Sequence, residues 1–508
     1  MSHGRDRLRV ELEVGVADGG SDVSEQRRPS ATRTDAAFRI ALLGDFSGRG
    51  GGDRGGRRGR ALGARRPLRV DRDSVDAAIS RIQPSVSLDL PELGSSFDIR
   101  FASLEDFHPD RLYERIPFFR ALADAGAVIP KPVAPLQPVQ SQSTPTPSGI
   151  LDSILGDTPL PPGGAALAKA PSLPPVRLAG EPDDSLAEFV RRAVMPHVTS
   201  EPKASERELE ARISAAVEAA MRVVLHHPDF QALESLWRGV DFLTRRLETG
   251  ERLQLHLIDV SREELSADLA ATDVRRTDLY RAIVERSIET PGAARWTLLV
   301  GCFSFGNSGE DFRALERLAV IAQASGAPLV AGADSVLAGG EQFRPGSNSA
   351  DPTADVSPDW ERVRRAPQAR YLGLVLPRLL LRLPYGEQTD PCESFRFEEF
   401  APEAVPEHES YLWGNGAIAC SLLLAETLGE EGPARAERVI SGLPLHVYRR
   451  NGDLIATPPS EVLLSEGRAE QLLEHGLMPL LSMAESDSVI LPRFQSVAAP
   501  AAPLAGHW

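Results

Sequence analysis

His227-Pro-Asp-Phe-Gln-Ala-Leu-Glu-Ser-Leu-Trp-Arg-Gly-Val-Asp-Phe-Leu243 is the stretch on which the reading of this 508-residue chain turns. Pro228 and Asp229 are helix-opening residues, because proline's fixed φ suits the first helical position and its missing N–H is not needed there. Phe230, Leu233, Leu236, Trp237, Val240, Leu243 and Leu247 then recur at steps of three and four, which places them on one helical face. That face needs a partner surface. Gly239 interrupts it at about 1 kcal/mol relative to Ala, so either a neighbour packs closely there or the helix tolerates a weak point.

Outward from this helix, Leu253 to Val260 alternates apolar residues and reads as a strand, and Ser261-Arg-Glu-Glu264 is a capping box opening a helix through Leu269. Asp278 begins another helix, Trp296 to Phe305 reads as a buried strand, Glu310 opens a helix ending near Gly326, and Pro328 to Ala333 makes a third strand. Such alternation with short joints predicts an α/β fold, with a parallel or mixed sheet covered by helices. Asn451-Gly452 predicts a hairpin turn, and Pro459-Ser-Glu461 a helix closed by Gly476.

Upstream, Phe38 to Gly44 reads as a strand running into a Gly-rich loop. Pro67 to Val70, a helical turn from Asp73 to Ile82, a strand from Ser96 to Phe101 and a last helix after Pro109 follow. Earlier still, Leu8, Val10, Leu12, Val14 and Val16 alternate with mostly polar residues, giving one apolar edge to a strand that stands alone. Its backbone groups require a partner. Residues 129–182 are rich in Pro, Ser, Gln, Ala and Gly and read as a linker between regions 1–128 and 183–508. One island near 148–156 carries Ile150, Leu151, Ile154 and Leu155 at helical spacing behind a serine. A helix so short is unstable alone in water, and would fold on a partner.

At 42% hydrophobic content the chain can bury large cores in two or more domains. A net charge of −16 argues against a general nucleic-acid binder, and no apolar run is long enough to insert in a membrane. No basic, apolar leader precedes Arg9, which together predicts a cytoplasmic protein. Cys302, Cys392 and Cys420 are too few and scattered for a disulfide framework or a zinc site.

Gly50, Gly52 and Gly55 fall in a GxGxxG register, but no helix-forming run follows to present its N-terminus to a pyrophosphate. The Arg-Gly-Gly repeats there read as a solvated loop tip, with RNA binding as the rival. No GxxxxGK[ST], GxSxG or HExxH motif occurs. His226 and His227 point in different directions and cannot alone chelate a metal. Glu398 and Glu399, as chain neighbours, make poor acid–base partners, which favours solvated or ion-paired roles. No catalytic, metal or cofactor residue is assigned, so an enzyme is not expected. The rival is an α/β enzyme with an unrecognised site, since βα units host ligands at strand ends.

The opening stretch is similar to the "HxPxFQxLExxWRGL" region of the large subunit of the type VI secretion contractile sheath. Matching words follow in order: Arg370-Tyr-Leu-Gly-Leu-Val-Leu-Pro-Arg378, Arg382-Leu-Pro-Tyr-Gly386, Phe397-Glu-Glu399 and Tyr411-Leu-Trp-Gly-Asn415. Upstream, Arg9-Val10, Gly44-Asp-Phe-Ser-Gly48, Pro84 and Asp106-Phe107-Pro109 resemble the small subunit's arm strand, "GDLSG" loop, "iPxLxLxV" segment and "SxxDFxP" motif. One departure is Cys302, where the family has Asp. The resemblance implies a fused small and large subunit with the contractile, phage-tail-like sheath fold and an extended N-terminal arm strand. It further implies a homo-oligomeric helical polymer around an inner tube protein, in contact with baseplate components, whose contraction expels the tube with its effectors. By the same resemblance Leu8 to Val16 would add to a neighbour's sheet, and Ile150 to Leu155 would be read by the recycling AAA+ ATPase. A non-polymerising adaptor with the sheath fold is a further rival.

Overall fold

The computed structural model describes residues 37–50, 62–90, 95–127, 202–289, 294–340, 357–401, 404–426, 438–483 and 485–506. The segments Leu8 to Val16 and Ile150 to Leu155 lie outside the described residues.

Seven strands build the main sheet: Phe38–Gly44 (β1), Leu68–Val70 (β2), Leu253–Asp259 (β3), Leu298–Phe305 (β4), Leu329–Ala333 (β5), Leu372–Leu376 (β6) and Leu477–Pro479 (β7). Their order is β7-β6-β5-β4-β1-β3-β2, and every pair is parallel except β2 with β3. The sheet explains why Phe-Arg-Ile-Ala-Leu-Leu lacks alternation: a strand in the middle of a parallel sheet is buried on both faces and reads as a continuous apolar run. Leu42 sits opposite Leu257 on one side and Val300 on the other. The upstream region thus supplies a central strand to the downstream region's sheet, and the described residues from 37 onward form one compact unit.

Alternate side chains of β1 enter two cores, as the period of a strand requires. Ile40 and Leu42 join Leu255, Leu257 and Val300 beneath helices Pro228–Arg246 (α1) and Gly416–Glu426 (α5). Ala41 and Leu43 join Leu299, Leu329 and Ala331 beneath Arg262–Leu269 (α2), Gly309–Ser325 (α3) and Pro358–Arg365 (α4). This is a helix–sheet–helix sandwich. The hairpin Ser85–Leu90/Ser95–Arg100 and the turn that follows pack on the first face. There Phe101 stacks on Phe107 at 4.0 Å between ring centroids, and Phe107 meets Phe230 of α1 edge-on at 5.8 Å.

The decisive helix α1 starts where its sequence says, with the His227 ring accepting the Asp229 N–H at 3.2 Å as the cap. Phe230, Trp237, Val240 and Leu243 are fully buried. At Gly239 a Cβ would lie 3.4 Å from Ile418 Cγ1 of α5, an ordinary van der Waals contact, so α5 packs against this position without excluding a methyl group. The Ser261 capping box forms as expected, with Glu264 N donating to Ser261 Oγ and Ser261 N to Glu264 Oε2.

Three expectations are modified. The helix after Pro109 is two, Pro109–Arg115 and Pro117–Ala127, divided where Pro117 has no N–H to continue the ladder. The helix begun at Asp278 continues as a π-helix over Arg281–Glu289. The helix expected after Pro459 starts only at Glu466, because Ser460 N donates to Ser482 Oγ (3.0 Å) and Glu461 N to Arg378 O (2.9 Å), which hold that segment extended. Asn451 (φ 53) and Gly452 (φ 92) make the expected turn of the hairpin His446–Arg450/Asp453–Thr457, whose tight type I′ geometry requires positive φ at both positions.

Candidate functional site

Glu234 and Arg238 stand one turn apart on α1, and Glu234 falls inside the apolar stripe between Phe230 and Trp237. A charge in that place needs an internal partner. Arg382 provides it: Nε donates to Glu234 Oε1 at 2.8 Å, while Nη1 and Nη2 donate to the two oxygens of Glu399 at 2.7 and 3.1 Å. Glu234 is 0% and Glu399 1% exposed. Arg238 Nε donates to Glu234 Oε1 at 2.7 Å and its Nη2 to the Tyr385 hydroxyl at 2.8 Å. Tyr385 N donates to Glu399 Oε2 at 2.8 Å, and His226 Nε2 lies 3.3 Å from Glu399 Oε1. Burial alone would raise the Glu399 pKa, but Arg382, seconded by His226, holds it down at about 2. Burial likewise opposes the Arg382 charge, and Glu234 and Glu399 outweigh it, raising that pKa well above its ordinary value. Glu399 is therefore an ion-pair residue locking α1 to the 382–399 segment. Glu398 accepts the Glu387 N–H instead, at 3.0 Å.

A second set of contacts crosses between the two regions. In the loop after β1, Asp45 accepts the N–H groups of Arg49 (3.0 Å) and Gly50 (2.7 Å), and Ser47 N donates to Asp259 Oδ1 at 3.1 Å. Arg49 pairs with Asp259 at 2.8 Å, Arg65 with Glu264 at 2.5 Å, and Trp237 Nε1 donates to Phe46 O at 3.0 Å. Beside this loop a cavity of about 640 Å³ opens over the carboxyl ends of β1 and β4, bounded by Asp45, Leu236, Arg262, Cys302, Arg378 and Trp413 among others. Several of its polar side chains are engaged. Arg378 is bound to Glu461 (2.7 Å) and Glu409 (3.1 Å), Arg262 to Asp311, and burial pushes the Cys302 thiol up to about 12. Cys302 thus faces the cavity as a neutral thiol.

The hairpin His446–Arg450/Asp453–Thr457 is built differently. Its inner face reaches the body through the Tyr411 hydroxyl, 2.7 Å from His446 Nδ1 and 3.0 Å from Thr457 Oγ1. Val447 and Leu454 share the opposite face by the strand period, and are 49% and 66% exposed. The hairpin is a two-stranded sheet, with no third strand on either edge among the described residues. Sequence reasoning saw the turn but not these free edges, which depend on what the rest of the chain leaves uncovered.

Residues 207–498 match the VipB (EvpB) tail sheath N-terminal domain, more than half of the chain. The chain belongs to this tail sheath family. Residues 25–130 match the type VI secretion system VipA family, so small- and large-subunit regions of the sheath are joined in one chain. The type VI secretion system sheath protein TssC1 of Pseudomonas aeruginosa is 31% identical over 305 residues, 57% of this chain and 61% of that protein. The chain matches about three fifths of the length of that relative. In this tail sheath family member the buried Arg382 cluster lies wholly in the VipB-matched part, whereas β1 and the Asp45 loop belong to the VipA-matched part.

Proposed function

We propose that the chain is a structural protomer of a type VI secretion contractile sheath, with the sheath fold of that family and its two subunit types held at one-to-one stoichiometry. It polymerises in the cytoplasm into a helical cylinder around an inner tube protein, meets baseplate components at its end, and contracts to drive the tube and its effectors outward without enzymatic chemistry. The observation that carries this reading is the hairpin at 446–457. A two-stranded ribbon is marginal alone, and its free edges and outward Val447 and Leu454 are suited to strand addition. The alternation of Leu8, Val10, Leu12, Val14 and Val16 with polar residues gives the complementary pattern, a strand-type segment with one apolar side whose backbone groups would need a partner. Donated by a neighbouring protomer, it would extend the hairpin and link copies into a lattice.

Deleting residues 1–16 is expected to abolish long cylinders in negative-stain images while the protomer keeps its unfolding transition. Leu454→Asp, on the receiving side, should shorten them in the same way. Cylinders of undiminished length in the deletion variant would dismiss the donated arm. The segment Ile150, Leu151, Ile154 and Leu155 is assigned, on the same family reading, to recognition by a recycling AAA+ ATPase. Leu151→Asp combined with Leu155→Asp should weaken capture by that ATPase at least tenfold, and equal capture of the double variant would remove the assignment.

A further inference from the structure

His108 and Asp110 lie at the start of the helix Pro109–Arg115, in the VipA-matched part, and Cys392 lies 282 positions beyond Asp110 in the VipB-matched part. Folding brings one ligand-type atom of each within 4.8 Å of the others. His108 Nδ1 and Asp110 Oδ2 are 3.5 Å apart. Two ligands bound tetrahedrally at about 2.0–2.1 Å would stand about 3.3 Å apart, so this pair needs little movement to share an ion. The His108 ring presents Nδ1 unprotonated, and an ion bound there takes over the lone pair that caps the helix. Its Nδ1 accepts the Asp110 N–H at 3.2 Å, which leaves the proton on Nε2, and Nε2 lies 3.8 Å from Asp390 Oδ1. That is longer than a hydrogen bond, and a small movement of the exposed Asp390 side chain would give the ring the carboxylate partner that metal-bound histidines commonly have. Asp110 is held as well: its oxygens accept the N–H groups of Glu393 and Ser394, each at 2.9 Å.

We propose that His108 Nδ1, Asp110 Oδ2 and Cys392 Sγ bind a zinc-type divalent cation that staples the small-subunit region to the large-subunit region, with Asp390 orienting the imidazole. A thiolate, an imidazole and one carboxylate form a donor set for Zn²⁺ rather than for Mg²⁺ or Ca²⁺, which take oxygen. The thiol proton leaves to solvent as the cation binds, and a water completes four-coordination. The three cysteines are too scattered in sequence to announce such a site, because only one of them belongs to it and its companions come from the other region. A second grouping, His408, Glu409 and Glu461, carries no such site, since both of its carboxylates are already ion-paired to Arg378.

Co²⁺ titrated into the full-length chain, after treatment with a chelator, reports thiolate ligation by a near-ultraviolet charge-transfer band. One equivalent is expected to produce the band; Cys392→Ser should abolish it, and Cys302→Ser should leave it intact. His108→Ala should weaken Co²⁺ affinity at least about tenfold, given that even outer partners of a metal are worth that much. Asp390→Asn, on an exposed side chain, should weaken it by up to about tenfold. No variant is needed for the second readout, in which Zn²⁺ should slow alkylation of Cys392 in the native chain, followed by peptide mass spectrometry. Absence of the band at one equivalent, its survival in Cys392→Ser, or alkylation of Cys392 unaffected by Zn²⁺ would each overturn the site.

Discussion

Replacing Arg382 by Met is expected to destabilise the chain by about 3–5 kcal/mol at neutral pH, the usual result of removing one member of a buried ion pair. Methionine fills much of the same volume, so the loss comes from the carboxylates of Glu234 and Glu399, left in the interior without their shared cation. Arg238 remains beside Glu234 but does not reach Glu399, whose other neighbours are His226 and the Tyr385 N–H. The pH dependence identifies the mechanism. The Glu399 pKa is depressed to about 2 in the folded chain against an ordinary 4.5. Its contribution, on the order of 3 kcal/mol, is therefore fully present above pH 4.5 and is lost as the pH falls through about 2. In Arg382→Met the carboxyl loses the partner that depresses it, so the gap between the variant and the native chain should be widest near neutrality and narrow on acidification. Urea unfolding of the two chains across that range measures it. A gap that stays constant with pH would assign the cost to packing and not to charge.

The cluster also shows how far the sequence could be read. Helices, strands and their order were legible wherever one segment carried its own pattern: the stripe of α1, the capping box at Ser261, the two positive-φ residues of the Asn451-Gly452 turn. Glu234 was a legible anomaly too, a carboxylate at a core position of an apolar stripe, but its partner is 148 positions away and has no local signature. The same holds for β1. Its apolar run announces burial on both faces, yet nothing in residues 38–44 says that the flanking strands begin at Leu253 and Leu298. Pro459 to Glu461 failed for the reverse reason: a good local helix start was overruled by Arg378 and Ser482. The approach of His108 and Asp110 to Cys392 is of the same kind, a property of the tertiary fold without trace in spacing.

Beyond the pairing of β1 with β3 and β4, the loop after β1 is fastened to α1 by side chains of which Trp237 is the largest. Its ring is fully buried, meets Phe46 edge-on at 5.5 Å between centroids, and its Nε1 donates to Phe46 O at 3.0 Å. Trp237→Ala is expected to cost about 3–5 kcal/mol for the lost burial and the cavity left behind. The orphaned Phe46 carbonyl adds about 1–3 kcal/mol if water does not reach it. Trp237→Phe separates the two terms: it keeps an aromatic ring in the core but has no N–H, so it should lose much less than Ala while still exposing the cost of the unmade hydrogen bond. The location of the damage is as informative as its size. Hydrogen exchange in Trp237→Ala should rise first at the amides of Phe46 to Gly48 and the adjoining end of β1, because Ser47 N and Gly48 N depend on Asp259 and Asp45 for their bonds and on Trp237 for their cover. Exchange that rises instead along the whole of α1, with the Asp45 loop still protected, would mean that Trp237 supports its own helix and that the seam between the two regions is held by the Arg49 and Arg65 ion pairs.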